Sequence, residues 1–115
     1  MSRDRLDISV VPGDDGAVTV AVAGEIDLPH ARDLVVALRE VLAAGPAAVA
    51  LDLSGVTFID STGIQVLMGA RADAATTGTE VRIAKTSAPV QRVLHLTGLL
   101  ETFGREIGER SPPVL

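Results

Sequence analysis

The run Ala47-Ala-Val-Ala-Leu-Asp-Leu53 constrains the fold most, because it is apolar at every position except Asp52. Successive side chains of a strand point to opposite faces, so a strand with one wet face alternates apolar and polar residues. An unbroken run is expected where both faces are covered, as in the middle of a parallel sheet. Parallel neighbours in turn require long crossover connections, usually helices.

The flanking sequence supplies such connections. Leu6-Asp-Ile-Ser-Val10 alternates, Pro12-Gly-Asp-Asp-Gly16 carries dense turn chemistry, and Val18-Thr-Val-Ala-Val22 resumes β-type residues, which predicts a hairpin or a two-strand start. Pro29 suits the first turn of a helix whose apolar residues Ala31, Leu34, Val35, Leu38, Val41 and Leu42 follow helical spacing up to the breaker pair Gly45-Pro46. After the apolar run, a second helix is expected from about Ser61 to Thr76, ended by Thr77-Gly78. Val81 to Ala84 reads as a further strand, and Ser87 caps a third helix with Val90, Val93 and Leu94 on one face. The predicted order is strand, strand, helix, strand, helix, strand, helix, the pattern of an α/β fold with right-handed parallel crossovers. Leu99 to Phe103 could add a short strand or turn, and Ser111 to Leu115 reads as a loose tail.

Within this frame, Asp60-Ser61-Thr62-Gly63 places a hydroxyl beside a carboxylate where a buried strand passes into a helix. Helix N-termini present free N–H groups and the positive end of the dipole, which favour a capping oxygen or an added phosphate. Capping alone accounts for Asp, Ser or Thr at such a position, although neither Asp60 nor Ser61 has the Glu or Gln three residues on that completes a capping box. Asp27 follows the second strand as Asp60 follows the third. Both therefore fall on the carboxyl-end rim where open α/β sheets bind ligands and partners, with helix capping the alternative for Asp27.

Charge and composition limit the chemistry. Fifteen acidic residues against 10 Lys plus Arg give a formal net charge of -5, which disfavours nucleic acid or an anionic membrane as partner and favours a basic protein surface. Cysteine is absent, which excludes disulfides and thiolate chemistry. The charged start Met-Ser-Arg-Asp-Arg-Leu-Asp7 has no signal-peptide core, and no apolar run approaches a membrane span, so a cytoplasmic protein is expected. Phe58 and Phe103 are the sole aromatics, too few for a base-stacking platform.

Catalytic readings fail on spacing. An aspartic protease signature would place Gly two residues after the Asp, and Ile59 stands where a hydrolase elbow needs its first Gly. His30, in the first turn of the first helix, and His95, on the outer face of the third, read as surface residues. No Gly-rich phosphate loop is present, and Asp14-Asp15 is explained by its turn, so neither cofactor nor metal is expected. Ser61 reads better as a substrate of another enzyme than as a nucleophile.

Several blocks in order carry a family resemblance: Gly24-Glu25-Ile26-Asp27, then Leu51-Asp-Leu-Ser-Gly-Val-Thr-Phe-Ile-Asp-Ser-Thr-Gly63, then Ser87-Ala-Pro-Val-Gln-Arg-Val-Leu94 and Thr97-Gly98-Leu99. Together they resemble a STAS domain, and among these a bacterial anti-sigma factor antagonist. The resemblance implies one domain over residues 1–115, with a core of about 6–103, a tail over 104–115, and helices packed on a mixed, mostly parallel sheet. It implies that the unphosphorylated chain binds an anti-sigma factor that is also a serine kinase, freeing a sigma factor. Phosphorylation of the hydroxyl after the motif Asp ends this binding, and a serine phosphatase restores it.

That hydroxyl falls on Ser61, with Thr62 as a second candidate acceptor. Asp27, Asp60, Ser61, Thr62 and Gly63 form the implied partner surface. Two departures stand out: Ile64-Gln65 replaces the Leu-Gly of many antagonists, and the stretch from Glu101 is short and proline-ended. STAS domains also act as accessory subunits of membrane transport systems or bind small ligands, which is the alternative expectation. An enzyme is the remaining one.

Overall fold

The computed structural model describes residues 6–13 and 15–99. Along the chain lie β1 (Asp7–Pro12), β2 (Ala17–Ile26), α1 (Leu28–Ala43), β3 (Ala48–Ile59), α2 (Ser61–Ala75), β4 (Glu80–Thr86) and α3 (Ala88–Leu96), in the order that the sequence predicts. The sheet runs β1-β2-β3-β4, with β1 antiparallel to β2 and the other two pairings parallel. This is the expected α/β architecture with a mixed, mostly parallel sheet.

Each helix begins at a residue suited to start it. Asp27, Asp60 and Ser87 are extended at the N-caps of α1, α2 and α3 and accept from the backbone N–H three residues on. Pro29 and Pro89 sit in first turns, where a missing N–H costs nothing. After α1 the chain turns out through Gly45, whose φ of 72° suits glycine.

The core lies against one face of the sheet. Val20, Val22, Val49, Leu51, Leu53, Val81 and Ile83 join Leu34 and Leu38 of α1, Leu67 of α2, and Val90 and Leu94 of α3 in one cluster. Ladder partners on the opposite face, such as Ser9 with Ala21 and Thr19 with Ala50, are small or polar. Burial on both sides of β3 therefore extends only over Ala48–Leu51. There the second face is covered because Ala48 and Ala50 are short side chains set between Ala17 and Glu80, and between Thr19 and Arg82, in the ladder. The run lacks alternation through alanine's size as much as through helical cover.

Two strands extend beyond their predicted ends. The sequence predicts β3 over Ala47–Leu53, yet it continues through Ser54-Gly55 to Ile59. A register shift lies opposite Ala21 and Ala23, and a Cβ on Gly55 would stand 2.8 Å from the Ala23 Cβ, so this glycine permits close strand contact. At the same place Asp52 accepts from the Ser54 hydroxyl at 2.6 Å and the Ser54 N–H at 3.0 Å. These bonds, with a smaller contribution from Lys85, hold the Asp52 carboxyl below its ordinary value. Similarly, β2 runs to Ile26 through a second register shift at Gly24, whose φ is 110°. Leu99 lies in a turn after α3; the remainder of the expected strand or turn to Phe103, and the tail over 104–115, lie outside the described residues. No described helix is long and apolar enough to cross a membrane.

Candidate functional site

Two adjacent strand-to-helix junctions form the rim at the carboxyl end of the sheet, and they are near copies. Ile26-Asp27-Leu28 joins β2 to α1, Ile59-Asp60-Ser61 joins β3 to α2, and Ile26 pairs with Ile59 in the ladder. The Asp60 N–H donates to the Ile26 carbonyl at 3.3 Å, tying one junction to the other. Both Asp residues are extended, with φ/ψ of -129/-177° at Asp27 and -117/-170° at Asp60. The Asp27 carboxylate accepts the His30 N–H at 3.3 Å, and the Asp60 carboxylate accepts the Gly63 N–H at 3.1 Å.

Capping therefore belongs to Asp60, and Ser61 is the first helical residue. Its side chain is exposed, and its hydroxyl makes no hydrogen bond among the described residues. The Ile64 N–H already donates to the Asp60 carbonyl at 3.0 Å, whereas the Ser61 and Thr62 N–H groups find no acceptor among the described residues. A free hydroxyl thus stands beside two free donors at the positive end of α2, an arrangement that accommodates an anion on Ser61. Thr62 is half-buried.

Gly63 explains why the helix can start so close to the sheet. A Cβ there would stand 2.7 Å from both the Ile26 carbonyl oxygen and Ile26 Cγ2, and 2.8 Å from Ile59 Cγ1. The motif glycine is a packing residue, buried beneath the hydroxyls rather than part of the exposed surface.

His30 differs from the expectation of an unpartnered surface residue. Its Nδ1 lies 2.5 Å from Asp27 Oδ1, and each side chain is only 18% exposed. The spacing Asp27-x-x-His30 on a first helical turn was the available signal for this pair. Glu25, Asp27 and His30 bring one ligand atom each within 4.8 Å of one another, close enough to share a cation. The Asp27 carboxylate, however, is already engaged by the His30 ring and backbone. His95 is exposed near the end of α3, far along the chain from either junction.

A groove of about 290 Å³ runs between α1 and α2, lined by Val35, Leu38, Leu42, Thr62, Gln65 and Val66 among others. Gln65, which departs from the antagonist pattern, is thus a wall of that groove one turn from Ser61. Rim and groove meet at Thr62, so the first turn of α2 borders both.

Comparison with known proteins agrees with this geometry. A family model described as "Mlab, STAS domain" matches residues 9–104. The chain is 34% identical over 89 residues to the anti-sigma-F factor antagonist RsfB of Mycobacterium tuberculosis, covering 77% of this chain and 72% of the relative. An anti-sigma factor antagonist from Mycobacterium paratuberculosis superposes with a TM-score of 0.78 at 32% identity, over 89% of this chain and 86% of that one. In fold alone, unphosphorylated SpoIIAA matches with a TM-score of 0.72 at 15% identity, over 92% and 89% of the two chains. A two-layer α/β domain with its signature residues on one rim, and relatives above 30% identity over most of its length, place the assignment beyond fold likeness: the chain belongs to the STAS domain family, among the anti-sigma factor antagonists.

Proposed function

We propose that this chain binds an anti-sigma factor with serine kinase activity while Ser61 is unmodified, freeing a sigma factor, and that phosphorylation of Ser61 ends the binding. A serine phosphatase returns it to the binding form, and the chain itself catalyses nothing. The exchange takes place in the cytoplasm. The observation that carries the reading is the separation of roles at one junction: Asp60 caps α2, which leaves the exposed Ser61 hydroxyl without a structural duty.

The physical consequences follow from that position. A phosphate adds about -1.5 to -2 charges at pH 7. Within the chain, the two free N–H groups and the helix dipole offset repulsion from Asp60, so the fold is retained. Across an interface packed on Ser61, the same group brings bulk and a desolvation penalty. A loss of about 3 kcal/mol there weakens binding roughly a hundredfold. Asp27, Asp60, Ser61 and Thr62 supply the partner surface, with Thr62 a secondary acceptor and Gly63 setting its backbone.

Incubation with the cognate kinase and ATP is expected to add one phosphate, mapped by mass spectrometry to Ser61 and absent from Ser61→Ala. Undiminished labelling of Ser61→Ala would refute the assignment. The groove between α1 and α2 favours a small-ligand-binding STAS domain as the second reading, beside the alternative of a STAS accessory subunit of a membrane transport system. Both predict no phosphoryl transfer to Ser61, and the transport alternative predicts co-purification with a transporter.

A further inference from the structure

The junction without the serine carries its own exposed group. Leu28 occupies in α1 the position that Ser61 occupies in α2, and it is 71% exposed although it is a leucine in the first turn of a helix. Phe58, three residues before Ser61, is 46% exposed, and it is the one aromatic among the described residues. Phe58 pairs with Glu25 in the parallel ladder, and the next pair, Ile26 with Ile59, is buried in the core. Alternation therefore turns Phe58 and Glu25 away from the core together. Leu28 lies two residues beyond Ile26 and Phe58 one residue before Ile59, so the two exposed apolar side chains flank the paired strand ends, at the rim where Ser61 also lies.

Capping and packing explain neither side chain. Asp27 performs the cap and Pro29 fills the first turn, so α1 makes no demand for leucine at position 28. At Phe58, β3 could end with any residue that fits a strand. Exposed apolar side chains gathered at a rim with acidic neighbours are instead the composition of an interface centre, where aromatic and aliphatic anchors carry most of the energy.

We infer that Leu28 and Phe58 are the apolar anchors by which this chain holds its protein partner, an inference that rests on the antagonist reading above. The matching face of the anti-sigma factor presents an apolar slot for the two side chains. Lysine or arginine borders that slot on the side facing the β2–α1 junction. The charge complement follows from Glu25, which makes no ion pair among the described residues, and from Asp27, whose carboxylate meets no Lys or Arg there and contacts only the His30 ring and backbone. A net charge of -5 over the whole sequence acts in the same sense. Ser61, three residues after Phe58, then lies at the dry part of the contact, where an added phosphate does most damage. The basic border lies over the other junction.

The test uses the full chain and a panel of purified anti-sigma factors from its own genome, with affinities measured by calorimetry. Leu28→Ala and Phe58→Ala are each expected to raise the Kd tenfold or more, with Leu28→Met and Phe58→Leu recovering most of the loss. Val36→Ala is the control, since Val36 is 50% exposed on the same helix but two turns away, and it is expected to bind as the wild type does. Thermal melting of every variant checks folding, and the conservative pair keeps the comparison valid if an alanine variant melts early. Wild-type affinity in Leu28→Ala and Phe58→Ala, or an equal loss in Val36→Ala, would overturn the inference and leave the antagonist reading standing. A wild type that binds no member of the panel would overturn both.

Discussion

Alanine placed at two glycines of the same helix should have opposite effects. Gly63 and Gly69 both belong to α2, six residues apart. Gly69 is exposed, and a Cβ there meets nothing within 4 Å. Replacing glycine by alanine inside a helix stabilises by roughly 0.5–1 kcal/mol, chiefly by restricting the unfolded chain. At Gly63 the same methyl would stand 2.7 Å from the Ile26 carbonyl oxygen, a backbone atom already receiving the Asp60 N–H, and 2.8 Å from Ile59 Cγ1. Neither neighbour is the loose end of a flexible chain, so α2 must move off the strand ends. Overpacking of this kind costs about 1–3 kcal/mol, more than the gain in helix propensity. In a domain of this size each kcal/mol moves the melting temperature by roughly 4 °C or more. Gly69→Ala is therefore expected to melt about 2–4 °C above the wild type, and Gly63→Ala below it, by about 4 °C for each kcal/mol by which the clash exceeds that gain. Calorimetric melting of the three proteins in one buffer decides the matter. A Gly63→Ala protein that melts at or above the wild type would show that the junction has slack, and the account of the motif glycine would fail.

Three further outcomes follow from the same junctions. Asp60→Ala removes the cap and strands the Gly63 N–H, so urea unfolding should show a loss of about 1 kcal/mol, whereas Ser61→Ala, which removes no hydrogen bond, should unfold as the wild type does. Ser61→Asp should keep the wild-type circular dichroism spectrum and melting temperature yet bind the anti-sigma factor roughly a hundredfold more weakly in calorimetry, about 3 kcal/mol. Asp52→Asn should be less stable than the wild type at neutral pH. Because the folded carboxyl ionises below its ordinary 3.8, the wild-type advantage is complete above that pH and closes as pH falls through the lower folded value, which paired urea titrations will show.

The sequence was legible wherever one residue type served one purpose. Asp27, Asp60 and Ser87 marked the three helix starts because capping draws on few side chains, and the periodicity of α1 follows from its buried Ala31, Leu34, Leu38 and Val41. Legibility ended where a residue served a contact distant in sequence. Ser54-Gly55 looks like a turn, yet glycine stands there so that β3 can pass close to Ala23, and no local pattern reports that contact. The cover of the second sheet face was misread for a related reason, since alanine counts as apolar in a sequence but needs little to bury it. At the candidate site, the two acidic residues and Ser61 are visible as a set, while the Asp27–His30 pair goes unread and the exposure of Leu28 and Phe58 emerges only in the folded chain. Helical spacing could have disclosed the first of these, but exposure of a lone apolar residue has no sequence signature.

The division of labour between Asp60 and Ser61 also bears on how long a signal written at this position lasts. Had Ser61 been the cap, esterifying its oxygen would have altered the helix start, and the two forms of the chain would differ in their resistance to unfolding. Proteases that act on opened chains would then remove one form faster, and the signal would decay with the protein that carries it. With the cap on Asp60, the proposed modification of Ser61 leaves the capping bond to Gly63 in place, and both forms are expected to open equally rarely. Under the phosphorylation cycle proposed above, the ratio of modified to unmodified chains would then be set by the kinase and phosphatase rates, and turnover would dilute it without bias.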